Sequence, residues 1–170
     1  MILMNDFKAE PPELREAMRA AAARVFDSGW YVLGRELENF EREWAARCGV
    51  PHAVGVGNGM DAIEIALRAL DIGPGDEVIT TSMTAFATVL AILRAGAMPV
   101  LADIDPETAL LSRESAARCV SPRTRAVLLV HLYGQVRDMD EWVAWCDTRG
   151  VALVEDCAQA HLASLKGKVA

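Results

Sequence analysis

Two short segments of this chain combine residue types and spacing that could do chemistry. The first is Gly55-Val56-Gly57-Asn58-Gly59-Met60-Asp61. Its small residues let backbone amides come close to an anion, and a helix beginning at its end would add unsatisfied N–H groups and the positive end of a dipole. In outline that is a phosphate cradle, although by itself the loop reads equally well as a tight turn needing positive φ. No Gly-Lys-Ser/Thr follows, so it is not a Walker A loop, and Met60 stands where the dinucleotide GxGxxG pattern needs its third glycine.

The second segment is Val151-Ala152-Leu153-Val154-Glu155-Asp156-Cys157-Ala158-Gln159-Ala160-His161, an apolar run ending in two carboxylates. Side chains alternate across a strand, so Glu155 and Asp156 should point to opposite faces and are not an acid/base pair. A single carboxylate at a strand end, with an amide side chain three residues later, suits fixing a heterocycle's protonated nitrogen and a neighbouring hydroxyl. The alternative is Asp156 as a helix cap.

Weaker candidates each have a structural reading beside the functional one. His131 ends the preceding strand and either faces the same pocket or packs and hydrogen-bonds locally. Ser82 and Thr84 could help hold a phosphate, but Thr84 is equally a helix cap. Trp142 and Trp145 sit at helical spacing and read as core or interface. Cys157 and His161 are the only Cys/His pair close enough in sequence to suggest a metal, and two ligands without partners seldom make a site, so none is expected. No Ser-His-Asp or Cys-His nucleophile can be argued from spacing.

The elements that must position these residues follow a regular pattern. Two helices lead, over Glu13 to Phe26 after Pro11-Pro12 and over Glu36 to Cys48, with Gly29 and Gly49 past their ends. Short apolar runs then alternate with helical segments. Strands are expected at Ala53 to Gly57, Glu77 to Ser82, Met98 to Ile104, Ala126 to Leu132 and Val151 to Asp156. The intervening helices are Asp61 to Leu70, Ala85 to Ala95, Glu114 to Cys119 and Met139 to Arg149. Strands that are apolar on both faces, separated by helices, give an α/β fold with a mainly parallel sheet flanked by helices. In such sheets ligands gather at the carboxyl ends of the strands, where both segments fall.

Composition narrows the function classes. The chain has 170 residues, of which 52% are apolar and 24% charged, enough for a sizeable core and against disorder. A net charge of −7 with no run of like charges leaves no electrostatic footprint for nucleic acid. The apolar stretch Ala85 to Leu93 is far short of the roughly 20 residues of a membrane helix, so no membrane partner is expected. Met1 to Asp6 lacks a basic n-region and a long apolar h-region, and four scattered cysteines suit reduced thiols, so a cytoplasmic location is expected.

Taken in order, the motifs resemble the DegT/StrS-type sugar aminotransferases, pyridoxal-phosphate enzymes of fold type I. The resemblance runs through Gly29-Trp30-Tyr31-Val32-Leu33-Gly34, Phe40-Glu41, Val54 to Ala62, Gly73-Pro74-Gly75-Asp76-Glu77-Val78-Ile79 and Asp103-Ile104-Asp105-Pro106. It continues in Ser121 to Ala126, His131-Leu132-Tyr133-Gly134-Gln135 and Glu155 to His161. It implies that the turn Gly59-Met60-Asp61 binds pyridoxal 5'-phosphate, with the amides of Met60 and Asp61 holding its phosphate. It also implies that Asp156 pairs with the ring nitrogen, Gln159 reaches the ring hydroxyl and Ala158 packs on one ring face. Relatives often place an aromatic over the other face where this chain has Ala85, leaving the adjacent Phe86 as the candidate.

The resemblance further implies an N-terminal helical arm, residues 1–34, and a partial large domain, residues 35–170, of an incomplete fold-type I architecture. In the family a Schiff-base lysine follows later than Ala170, so no catalytic residue is assigned. Lys8, Lys166 and Lys168 are the lysines present, the last two in a polar turn. The function implied is the N-terminal part of an aminotransferase acting in polysaccharide or antibiotic sugar biosynthesis. The whole enzyme would move an amino group, commonly from glutamate, to a nucleotide-linked keto-sugar, as a homodimer, and this chain alone is expected to be inactive. The alternatives are an inactive remnant or interaction module, and a dehydratase-like relative.

Overall fold

The structure, a computed structural model, describes residues 6–170. Of the stretch read for a leader, all but Asp6 therefore lies outside the described residues. The chain divides into two compact units, one ending at Gly55 and the other running Val56–Ala170.

In the first unit a 3-10 turn, Phe7–Ala9, precedes α1 (Pro12–Ser28) and α2 (Arg35–Cys48). Pro12 occupies the first turn of α1, where its missing N–H costs nothing. Both helices end on a left-handed glycine, Gly29 at φ 66° and Gly49 at φ 69°. Phe40 and Trp44, one turn apart on α2, stack with ring centroids 5.9 Å apart. Glu41 accepts the amide of Gly55 at 2.7 Å, tying the end of this unit to α2. Trp30, Tyr31, Val32 and Leu33, between the helices, are all exposed.

The second unit begins with α3 (Gly59–Ala69), then alternates β1 (Glu77–Thr81), α4 (Phe86–Ala95), β2 (Met98–Ala102), α5 (Arg113–Cys119), β3 (Thr124–Val130), α6 (Met139–Asp147) and β4 (Ala152–Asp156). A small hairpin of β5 (Ser164–Leu165) and β6 (Lys168–Val169) follows. The four long strands form one parallel sheet in the order β2-β1-β3-β4, the α/β class expected. One expected strand is missing. Ala53 to Gly57 carries no strand assignment, because alternating Val54 and Val56 supply the pattern of a strand but no neighbouring ladder to hydrogen-bond it.

The two faces of the sheet carry separate cores. Val78, Ala126 and Leu128 pack with Ile63 and Leu67 of α3 and Ala91, Ile92 and Ala95 of α4, and Met60, Ala152 and Val154 close against them. On the other face Ile79, Val127 and Leu129 pack with Ala116 of α5 and with Trp142 and Cys146 of α6. The central strand β3 is apolar on both faces, and Leu128 and Leu129 are both fully buried; each such leucine contributes about 2 kcal/mol by leaving water. Edge strand β4 is only half-buried, as an unpaired flank must be.

Candidate functional site

Asn58 sets the first half of the site. It is the N-cap of α3, with extended backbone (φ −167°, ψ 171°). Its side-chain oxygen accepts the amide of Asp61 at 3.0 Å while its Nδ2 donates back to Asp61 Oδ2 at 2.8 Å. The first amide bonded within the helix is that of Ala62, to the Asn58 carbonyl. The cap thus uses the Asp61 N–H, and Gly59 and Met60 contribute the helix-end donors that precede the ladder. A Cβ on Gly57 would lie 3.3 Å from the Asp61 carboxylate, whereas one on Gly59 would meet nothing within 4 Å. The ground above the start of α3 is therefore open, bordered by amides and by the positive end of the helix.

The end of β4 sets the second half. Register pairs Val130 with Asp156 and Leu129 with Glu155, so Asp156 shares the face of Ala152 and Val154, on which α3 and α4 pack. Met60 lies against the same core. One Asp156 oxygen accepts the amide of Ala158 at 3.0 Å, an Asx-type turn that fixes the carboxylate without capping a helix. Asp156 is half-buried, while Ala158 and Gln159 are exposed beside it. Gln159 Oε1 accepts the amide of Tyr133 at 2.8 Å.

Glu155 points to the opposite face, as alternation requires. There it accepts a hydrogen bond from His131 Nε2 at 2.9 Å. His131 is fully buried and does not turn toward Asp156, so the reading of it as lining the same pocket gives way to local hydrogen bonding. Among the described residues, His131, Glu155 and Cys157 are the one group of such donors close enough to share a metal ion. It is not the Cys157 and His161 pair considered from sequence, and its imidazole and carboxylate are already engaged with each other.

Other candidates resolve individually. Phe86 is 73% exposed as the first residue of α4, the helix that follows β1. The N-cap there is Ala85, and Thr84 instead shares a hydrogen bond with the Thr88 hydroxyl at 2.8 Å, so Thr84 is not the cap. Trp142 is core, and Trp145 stands edge-on to it with centroids 5.8 Å apart. A cleft of about 470 Å³ beside α5 and α6 is lined by Arg113, Arg137, Glu141 and both tryptophans. It lies on the face away from Met60 and Asp156; in it Arg113 pairs with Glu141 at 2.6 Å, and Arg137 donates through Nη2 to the carbonyls of Leu110 and Leu111 while its buried Nε has no hydrogen-bond partner among the described residues.

Lys166 and Lys168 flank the hairpin turn and pair with Asp138 and Asp140. The hydrogen bond to Asp138, and then that carboxylate's charge, hold the Lys166 ammonium above its ordinary pKa. A lysine kept protonated is a poor carbonyl nucleophile. Sequence reading missed Arg94, which reaches Asp61 from α4 at 3.3 Å, and Tyr133, whose backbone is left-handed at φ 58°. No local sequence signal announces a contact across 33 residues.

A family model described as the DegT/DnrJ/EryC1/StrS aminotransferase family matches residues 12–170. The chain is 50% identical over 163 residues to a dTDP-3-amino-3,4,6-trideoxy-alpha-D-glucose transaminase of Streptomyces venezuelae, covering 96% of this chain and 43% of that protein. It superposes on the crystal structure of S. venezuelae DesV in complex with a ketimine intermediate with a TM-score of 0.88 at 51% identity, over 92% of this chain and 42% of the other. NtdA from Bacillus subtilis, solved with bound cofactor PMP, matches with a TM-score of 0.84 at 30% identity, over 88% of this chain and 34% of the other. The chain thus spans less than half the length of these relatives. Among the described residues, no helix is long and apolar enough to cross a membrane.

Proposed function

Because the chain belongs to the DegT/DnrJ/EryC1/StrS aminotransferase family, we propose that it forms the N-terminal, cofactor-binding portion of a pyridoxal-phosphate-dependent aminotransferase acting on a nucleotide-linked keto-sugar. The observation that carries this reading is the common face. The open start of α3 and the carboxylate of Asp156 both belong to the side of the sheet where Met60, Ala152 and Val154 share one core.

The residues present fit the group. A phosphate suits the amides of Gly59 and Met60, where the absent Gly59 side chain leaves room. Asp156, steadied by the Ala158 amide, would hold a proton on the ring nitrogen by its negative charge. Gln159 accepts from Tyr133 through Oε1, so its Nε2 is left to donate to the ring hydroxyl. Ala158 would lie against one ring face and Phe86 near the other. When bound, pyridoxal phosphate supplies an electron sink for the carbon that exchanges its amino group.

Lys166 and Lys168 do not suit the Schiff-base role in this reading, since both are paired with carboxylates. These residues would bind cofactor, and the transfer itself would draw on a lysine they do not supply. By analogy with the S. venezuelae transaminase the whole protein would act on a dTDP-linked sugar; to this we add, as our own proposal, glutamate as donor and a cytoplasmic location. The arm at residues 1–34, with Trp30 to Leu33 exposed, suits docking against a second copy.

The test is a titration of the purified protein with pyridoxamine 5'-phosphate, followed by ligand fluorescence. One molecule should bind per chain, and Asp156→Ala should weaken binding at least about tenfold, the scale of a lost charge-assisted hydrogen bond. Equal binding by wild type and Asp156→Ala would discard the reading, as would no binding by either. For the full-length protein, amino transfer from glutamate to a dTDP-linked keto-sugar is the corresponding assay.

A further inference from the structure

We propose that Arg94 is a positioning residue of the phosphate turn: its guanidinium masks the carboxylate of Asp61, so that a phosphate dianion meets the N-terminus of α3 and not an acid. The inference rests on the reading of that turn as the phosphate site.

An acid three residues into a helix is favourable to the helix itself, because it opposes the positive dipole end. The same charge stands beside the amides that must receive an anion, and like charges a few ångströms apart repel strongly where water is partly excluded. Asp61 is in that position. Its side chain is 33% exposed, and its Oδ2 is already engaged by Asn58 Nδ2 at 2.8 Å. The neutral Asn58 amide cannot cancel a full charge.

Arg94 supplies the cancelling charge from the last turn of α4. Its Nη1 lies 3.3 Å from Asp61 Oδ1 and 4.0 Å from Met60 Sδ, and its Nε is 2.7 Å from Glu64 Oε2. Arg68 holds the other end of the arrangement, with Nε 3.0 Å from Glu64 Oε1 and Nη2 donating to the Arg94 carbonyl at 2.6 Å. Two acids, Asp61 and Glu64, are thus balanced by two arginines, and of the two it is Arg94 that pairs with Asp61 while Arg68 is engaged by Glu64 and the Arg94 carbonyl. Losing Arg94 leaves the charge at the turn uncancelled. Arginine suits the task because one planar fork serves both carboxylates at once.

The experiment compares wild type, Arg94→Met, Arg94→Lys, Asp61→Asn and the Asp61→Asn/Arg94→Met double variant, with thermal melts as a check on folding. Affinity is measured for pyridoxamine 5'-phosphate, for pyridoxamine without its phosphate, and for inorganic phosphate by competition. Arg94→Met should weaken both phosphate-bearing probes roughly threefold to fivefold, the scale of one partly exposed charge pair, and leave pyridoxamine unchanged. Arg94→Lys should recover part of the loss, and the double variant should bind like Asp61→Asn alone. A merely structural Arg94 predicts equal losses for all three probes and no rescue by Asp61→Asn, and that result overturns the proposal. If Arg94→Met fails to fold, Arg94→Lys and Asp61→Asn decide the matter: phosphate affinity must fall in the first and hold or rise in the second. Absence of phosphate-ligand binding by wild type would instead remove the cofactor reading, and this inference with it.

Discussion

The side-chain oxygen of Gln159 accepts the backbone N–H of Tyr133 at 2.8 Å, joining the loops that follow β4 and β3. Tyr133 sits at φ 58°, ψ 20°, a left-handed conformation that costs a non-glycine residue of the order of 1 kcal/mol. The next residue, Gly134, is also left-handed at φ 83°, and a Cβ there would come 3.3 Å from the Gln159 carbonyl. Gln159 therefore does two things at once. Its acceptor pins a strained loop, and in the proposed function its amide N–H is the donor to the ring hydroxyl.

Those two roles separate by substitution. Gln159→Glu keeps an acceptor for Tyr133 and loses the donor, so its melting temperature should stay near wild type while affinity for pyridoxamine 5'-phosphate falls. Gln159→Ala loses both and should also be destabilised by about 1 kcal/mol. Equal affinity in wild type and Gln159→Glu would remove the proposed contact to the ring.

The start of β1 carries a second testable relationship. Glu77 is buried and accepts from Arg123 Nε at 2.9 Å and from the Ser121 hydroxyl. The Ser121 hydrogen bond first, then Arg123, hold its carboxyl below the usual 4.5. Nearby, the amide of Gly73 and then Arg125 lower Asp76 below 3.8. Depressed carboxylates stabilise the fold above their unfolded pKa and lose that contribution as pH falls through the folded value. Thermal stability should hold from neutral pH to about 4.5 and then fall, and Glu77→Gln should be less stable at neutral pH but flatter below 4.5. Parallel pH profiles for the two proteins would contradict this.

Much of this was legible in the chain itself. Apolar runs broken by Gly73-Pro74-Gly75 and Asp105-Pro106 placed all four long strands and their helices within two residues at most ends, because both faces of the sheet are buried and the pattern is strong. Ala53 to Gly57 misled for the same reason: Val54 and Val56 alternate as in a strand, but pairing is a property of neighbours. At the site, alternation correctly sent Glu155 and Asp156 apart, yet nothing in the sequence said which side α3 would cover. Arg94 was illegible because its ion pairs depend on how α4 lies against α3. Tyr133 was equally hidden, since its left-handed backbone is held by a residue 26 positions away.

Cys146 on α6 makes a chemical prediction. It is buried between Trp142 and the sheet, and burial first, then the Asp147 charge, push its thiol up to about 11. The thiolate is the nucleophile, so Cys146 should resist iodoacetamide at pH 8 until the protein unfolds. Half-buried Cys119 should label faster. Peptide mapping of a timed alkylation measures both, and equal labelling of the two in the native protein would refute the assignment.

Lys166 provides the last test, because it bears on how far these residues go in the chemistry. Its ammonium is paired with Asp138 and its pKa is raised above 10.5 by that hydrogen bond. With a raised folded value, the pairing stabilises the hairpin at neutral pH and is lost only as pH rises through that value. At pH 8 the amine is protonated and held at the β5–β6 turn, so it should not capture an aldehyde. Treating the protein with one equivalent of pyridoxal phosphate and then borohydride should label Lys166 no more than Lys8, and Lys166→Met should leave affinity for pyridoxamine 5'-phosphate unchanged. Selective reduction onto Lys166, with accompanying amino transfer, would instead make it the Schiff-base residue and reverse the assignment of these residues as a binding portion alone.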